Sequence, residues 1–225
     1  MSTRRSLLRD VLLTALAAAS YGFAIGAVHS WLFAARNLIK FPLLILVTAL
    51  VCAPAYLLAA RFVAARLTLE EVARLVLGLY RDVSLLLAVL APVCLFLART
   101  LRPPDEGGLG EYPHFLGFNV LLIAACGSLA LVRQTRMLLR GRPLTRRQGL
   151  AIMAAWLLLS LLVGGQWAWY LRPFFGVASV SGEATPFCLG TLTDYRGAAS
   201  FFEAVYQLVD PPPLPAGYHL RGWGR

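Results

Sequence analysis

The sequence predicts an all-α integral membrane protein: five transmembrane helices plus amphipathic interfacial helices, with the N-terminus inside and the C-terminus outside. Of its 225 residues 59% are apolar and 14% charged, whereas a soluble domain carries about 45–50% and about 25%. No single soluble core hides that excess, and a disordered chain has the opposite balance. The charges are bunched, and between the bunches lie apolar runs near the length of about 17–25 residues that a membrane helix needs. The basic residues also crowd one set of connecting segments, which orients the chain.

The spans are expected at 11–33, 41–60, 79–99, 115–132 and 150–171. The first follows a basic start, Ser2-Thr3-Arg4-Arg5, and contains Ala17-Ala18-Ala19-Ser20, so a cleaved signal peptide is one reading. Its apolar run continues through Phe33, long enough to span, and an uncleaved signal-anchor helix is the expectation. The second span opens at Phe41 and contains Pro54.

Before the third span, residues 67–81 read as an interfacial helix. Thr68 and Glu71 form a capping box, each able to satisfy a free amide near the other. Leu69, Val72, Val76 and Leu79 recur at helical spacing beside Glu70, Glu71 and Arg74, too many charges for a span. The apolar stretch 83–98 then covers about 24 Å at 1.5 Å per residue. Arg81 and Asp82 are therefore expected at the headgroup boundary, within reach of water. On that placement no span holds a carboxylate deep in the hydrocarbon.

Pro173 ends the fifth span, since it lacks an amide proton and clashes with the preceding turn. Residues 1–171 thus form a transmembrane domain and 172–225 an outer-face tail. Within the tail, 198–209 reads as an amphipathic helix, with Phe201, Phe202, Val205, Tyr206 and Val209 at helical spacing. From Pro211 the chain should be extended and proline-rich.

In this five-span arrangement the N-terminus, 61–82 and 133–149 share one side. That side holds thirteen basic and four acidic residues, against eight and seven on the other, for net charges of +9 and +1. The more basic side is expected in the cytoplasm. Trp31, Tyr112, Trp167, Trp169 and Tyr170 then fall near the outer boundary, where amphipathic rings sit. All basic residues but Lys40 are arginine, in a chain rich in Ala and Leu, which fits a bacterial inner (cytoplasmic) membrane. The six arginines of 133–149 read as a topology determinant in contact with anionic lipid. No nucleic-acid partner is expected.

Candidate functional residues are sparse. Gly22 and Gly26 make a GxxxG face, and Gly164 with Gly165 a second small-residue spot, both suited to close helix packing. Pro54 and Pro92 are candidate kinks. His29, Asn119, Gln166 and Cys94 each fall four or five residues inside the outer ends of their spans, with Lys40, His114 and Arg172 ringing that layer. Such a layer joins helices by hydrogen bonds or holds a ligand or lipid headgroup, and Lys40, Arg172, His29, Asn119 and Gln166 are its candidates. Two cations there would suit an anion, a lipid phosphate or the tail's own Glu203. No Cys/His pattern at metal spacing occurs, and His29 and His114 do not pair as haem ligands, so neither metal nor cofactor is expected. Catalytic motifs are missing too, and Ser160 reads as a hydroxyl bonded to its own helix.

The runs Lys40-Phe-Pro42-Leu-Leu, Cys52-Ala-Pro54, Ala91-Pro92, Asn119, Trp169-x-x-Arg172-Pro173-Phe174-x-Gly176 and Phe201-Phe-Glu203-Ala-Val205 carry a resemblance. Over about residues 38–209 the chain resembles an uncharacterised family of small bacterial multi-span membrane proteins. That resemblance implies architecture and no activity. The function expected is a non-enzymatic membrane subunit that anchors or stabilises a larger assembly. Its partners would be the bilayer and other membrane or peripheral subunits, or further copies of the chain. The alternative is a small-solute or ion conduit built on the proline-kinked helices.

Overall fold

The computed structural model describes residues 2–28, 30–62, 68–100, 112–140, 145–174, 187–190, 198–203 and 206. Five helices form: α1 (Ser2–Gly26), α2 (Trp31–Phe62), α3 (Leu69–Thr100), α4 (Tyr112–Arg140) and α5 (Arg146–Leu171). Each contains a stretch long and apolar enough to cross a membrane. Among the described residues there is no strand. The architecture is all-α and multi-pass.

α1 packs along both α2 and α3. α5 lies against α2, α4 lies against α3, and α2–α3 and α4–α5 contacts complete the bundle. Tyr21 and Ile25 of α1, Tyr56 of α2, Leu87 of α3 and Trp156 of α5 anchor a common core. The outward faces stay apolar. Only 17% of the apolar window of α5 is buried, so the described residues leave much of that helix partly or fully uncovered.

The first connection differs from the expectation. A single apolar run to Phe33 was expected as one span, but α1 ends at Gly26 and α2 begins at Trp31. Ser30 caps the new helix, its Oγ accepting from the Phe33 amide at 3.3 Å and its carbonyl from Ala34 at 3.0 Å. The glycines make this hairpin possible. A Cβ on Gly22 would overlap the Asn37 carbonyl oxygen and stand 2.6 Å from Phe41 Cβ, and one on Gly26 would lie 2.6 Å from the Phe33 oxygen. A hydropathy average does not register such a turn, because its two polar residues, His29 and Ser30, are flanked on both sides by apolar ones.

Residues 67–81 and the third span likewise merge. From Leu69 onward they form one unbroken helix, α3, opened by the Thr68–Glu71 capping box: the Thr68 amide donates to Glu71 Oε2 at 2.8 Å and the Glu71 amide to Thr68 Oγ1 at 3.3 Å. The 133–149 segment is also mostly helical, since α4 runs to Arg140 and Thr145 caps α5 with Gln148. Pro54 and Pro92 sit within α2 and α3 on exposed faces, and Pro42 becomes interior to α2.

Candidate functional site

Starting α2 at Trp31 moves Lys40 from a span's edge to more than two turns inside a helix. There it is fully buried, as is Asn37 one turn earlier. Both reach the chain just beyond α5. Lys40 Nζ donates to the Pro173 carbonyl at 2.9 Å and Asn37 Nδ2 to the Phe174 carbonyl at 2.6 Å. Nζ also stands 4.9 Å from the Phe187 ring centre and 5.8 Å from that of Phe174. Such cation–π contacts strengthen when desolvated.

Residues 187–190 fold back over the same place. The Leu189 amide donates to the Arg172 carbonyl at 2.9 Å and the Gly190 amide to the Tyr170 carbonyl at 3.0 Å, filling acceptors that a helix end leaves open. Gly190 makes the turn at a φ of 57°, where a side chain would be strained. The Arg172 guanidinium stacks 3.3 Å over the Trp169 ring centre. Further along, the Phe201 ring covers Gly165, 2.6 Å from where a Cβ would stand. Glu203 reaches neither cation expected for it. Its Oε2 accepts from the Ala199 amide at 2.8 Å, while its own amide donates to Ser200 Oγ, a local cap.

Lys40 is thus a clamp on the tail. Lys40→Met should release it, because a charge-assisted hydrogen bond to a carbonyl is worth about 1.5–3 kcal/mol. The expected result is cleavage of the 172–190 segment at least about tenfold faster in limited proteolysis, with the helices intact. Unchanged cleavage would mean that Phe174 and the Gly190 turn hold the tail unaided.

The expected polar layer is only partly assembled. The Tyr21 hydroxyl donates to Asn119 Oδ1 at 2.7 Å, and Asn119 Nδ2 donates to the Phe115 carbonyl, also at 2.7 Å, joining α1 to α4. Cys94 is fully buried in the same core cluster as Tyr21. Gln166 takes no part: its buried Oε1 has no hydrogen-bond partner, and neither do Asn37 Oδ1 and Trp169 Nε1. His29 lies outside the described residues, as does the side chain of His114. A Cβ on Gly164 would stand 3.4 Å from Thr48 Cγ2, an ordinary contact.

Arg81 and Asp82, expected at the headgroup boundary, belong to a second cluster in which only the carboxylate of Asp82 is buried by the protein. Asp82 of α3 is only 4% exposed. Arg81 Nη2 donates to its Oδ1 at 3.1 Å, while Gln134 Nε2 and Arg133 Nη1 donate to its Oδ2 at 2.8 and 3.0 Å. Arg81 Nη1 bonds Asp10 Oδ1 of α1 at 2.9 Å. These donors replace water around the buried carboxylate. The sequence carried a signal for this network, namely acids in the first and third helices and an Arg-Gln pair in the second half of the fourth.

A third cluster joins α2, α3 and α5. Ser160 Oγ donates to the Trp156 carbonyl at 2.8 Å, so it accepts from the Tyr56 hydroxyl, and the Tyr80 hydroxyl stands 3.2 Å from the Tyr56 oxygen and 3.4 Å from Ser160 Oγ. Trp156 Nε1 donates to the Tyr56 carbonyl at 3.2 Å. Ser160 is bonded to its own helix and linked to two others as well.

These arrangements tie helices to one another and to the tail. Among the described residues no three His, Cys, Asp or Glu side chains converge on a point where a metal could sit. Comparison with protein-family models, curated proteins and solved structures returns no match.

Proposed function

We propose that this chain is a non-enzymatic integral membrane subunit that anchors or stabilises a larger membrane-associated assembly. One observation carries the reading: the use made of the buried polar side chains. Asn37, Lys40, Asp82, Asn119 and Gln134 each bond another helix or the tail. Their hydrogen-bonding capacity is directed to fixing one shape. The proline candidates for a conduit, Pro54 and Pro92, lie on exposed helix faces. Meanwhile the outward apolar surface of α5 offers room for neighbouring helices.

Gentle detergent purification tests this. The expected result is a stable complex with other chains in fixed ratio. An isolated monomer or homo-oligomer that moves solute across liposome membranes would overturn it in favour of the conduit.

The accompanying orientation is N-terminus cytoplasmic and tail outside, in a bacterial inner membrane, as the charge asymmetry of +9 against +1 supports. Cys188 gives a direct readout, because it is exposed while Cys52, Cys94 and Cys126 are buried. A membrane-impermeant maleimide should label intact cells at Cys188, and Cys188→Ser should abolish the label. Labelling only after the membrane is opened would reverse the orientation.

A further inference from the structure

Beside the Asp82 network a groove of about 320 Å3 runs between α3 and α4. Leu85 and Val89 line it from α3, Leu129 and Ala130 from α4, with Asp82 and Arg133 at one end. It stays open because Ala130 contributes only a methyl group. From Asp82 to Val89 the α3 wall rises about 10 Å, at 1.5 Å per residue.

Two features specify what fills it. The first is the setting: Val89 and Leu129 are exposed on helices long and apolar enough to cross a membrane, so the groove opens sideways onto acyl chains. The second is charge. Arg133 commits Nη1 to Asp82 yet keeps 63% of its side chain exposed. Arg136 is exposed one turn further along α4, and Arg146 and Arg147 are exposed at the start of α5. Arg81 pairs with both Asp10 and Asp82, so Asp82 is shared between Arg81 and Arg133. An apolar channel ending in an arginine that stays largely exposed, with a second exposed arginine beyond it, matches a molecule with a hydrocarbon tail and a negative head.

We infer that the groove binds one anionic phospholipid. An acyl chain lies along Val89, Leu85 and Ala130, and its phosphate meets the exposed part of Arg133 together with Arg136. The neutral-headed lipids of the bilayer share the tail chemistry but gain less from the arginines.

Native mass spectrometry of the detergent-purified protein tests this, after exposure to equal amounts of phosphatidylglycerol and phosphatidylcholine. The expected result is one phosphatidylglycerol retained per chain, at least about tenfold preferred over phosphatidylcholine. Two variants at exposed positions separate head from tail. Arg136→Gln should weaken retention about fivefold, and Val89→Trp, which sets an indole over the open wall, at least as much. Both should leave the thermal transition of the bundle where it is. Loss in both variants supports the site. Equal retention of the two lipids, or loss in one variant or neither, overturns it.

Discussion

Replacing Asp82 with alanine should destabilise the bundle by about 3 kcal/mol or more, since removing one partner of a buried ionic cluster strands the others. Asp82 receives donors from Arg81 on its own helix and from Arg133 and Gln134 on α4. Arg81 also holds Asp10 on α1, so one carboxylate organises contacts among three helices. Arg133→Gln should cost under about 1 kcal/mol, because that side chain is largely exposed and Gln134 still satisfies the same oxygen. Asp82→Asn should fall between the two, keeping the shape and losing the charge. Thermal unfolding in mild detergent measures all three. If Asp82→Ala melts with Arg133→Gln, the cluster is a surface ion pair and not a fastener.

Gly22→Ala should be the second most damaging change. A Cβ there overlaps the Asn37 carbonyl oxygen, and Phe41 Cβ is 2.6 Å away. Backbone cannot yield as a flexible side chain does, so α1 must move off α2, at about 1–3 kcal/mol or more for overpacking. Such a shift also disturbs Asn37 and Lys40, and through them the tail. Gly127→Ala is the control, with nothing within 4 Å of its Cβ position and an expected change within about 0.5 kcal/mol. Gly165→Ala should behave differently again, because the atoms in its way belong to the Phe201 ring. That ring can swing aside, so the tail should loosen while the bundle's thermal transition holds. Equal melting of Gly22→Ala and Gly127→Ala would remove Gly22 from the α1–α2 contact.

The number of helices and their apolar character were legible in the residues, because a bilayer demands long apolar runs and this chain has five. Capping was legible too: Thr68 with Glu71 marks the start of α3 in four residues of sequence. The α1–α2 turn was not. Its polar residues, His29 and Ser30, are too few to interrupt an apolar run, and the close approach of α1 and α2 that Gly22 and Gly26 allow is a tertiary contact.

The candidate site divides in the same way. Asn119 could be singled out as a polar side chain at depth, and Lys40 as the one lysine, from sequence alone. That Asn119 would meet Tyr21, or that Lys40 would hold the Pro173 carbonyl rather than a carboxylate or a headgroup, could not. Lys40 and Pro173 are 133 residues apart, and no local pattern couples them. The amino-acid sequence by itself determined that this chain is a set of membrane-length helices, because burial of apolar length is a property of each segment alone. Only the tertiary structure decided which polar groups are buried and which meet water, because a buried charge survives only where other helices bring the donors that replace its solvent.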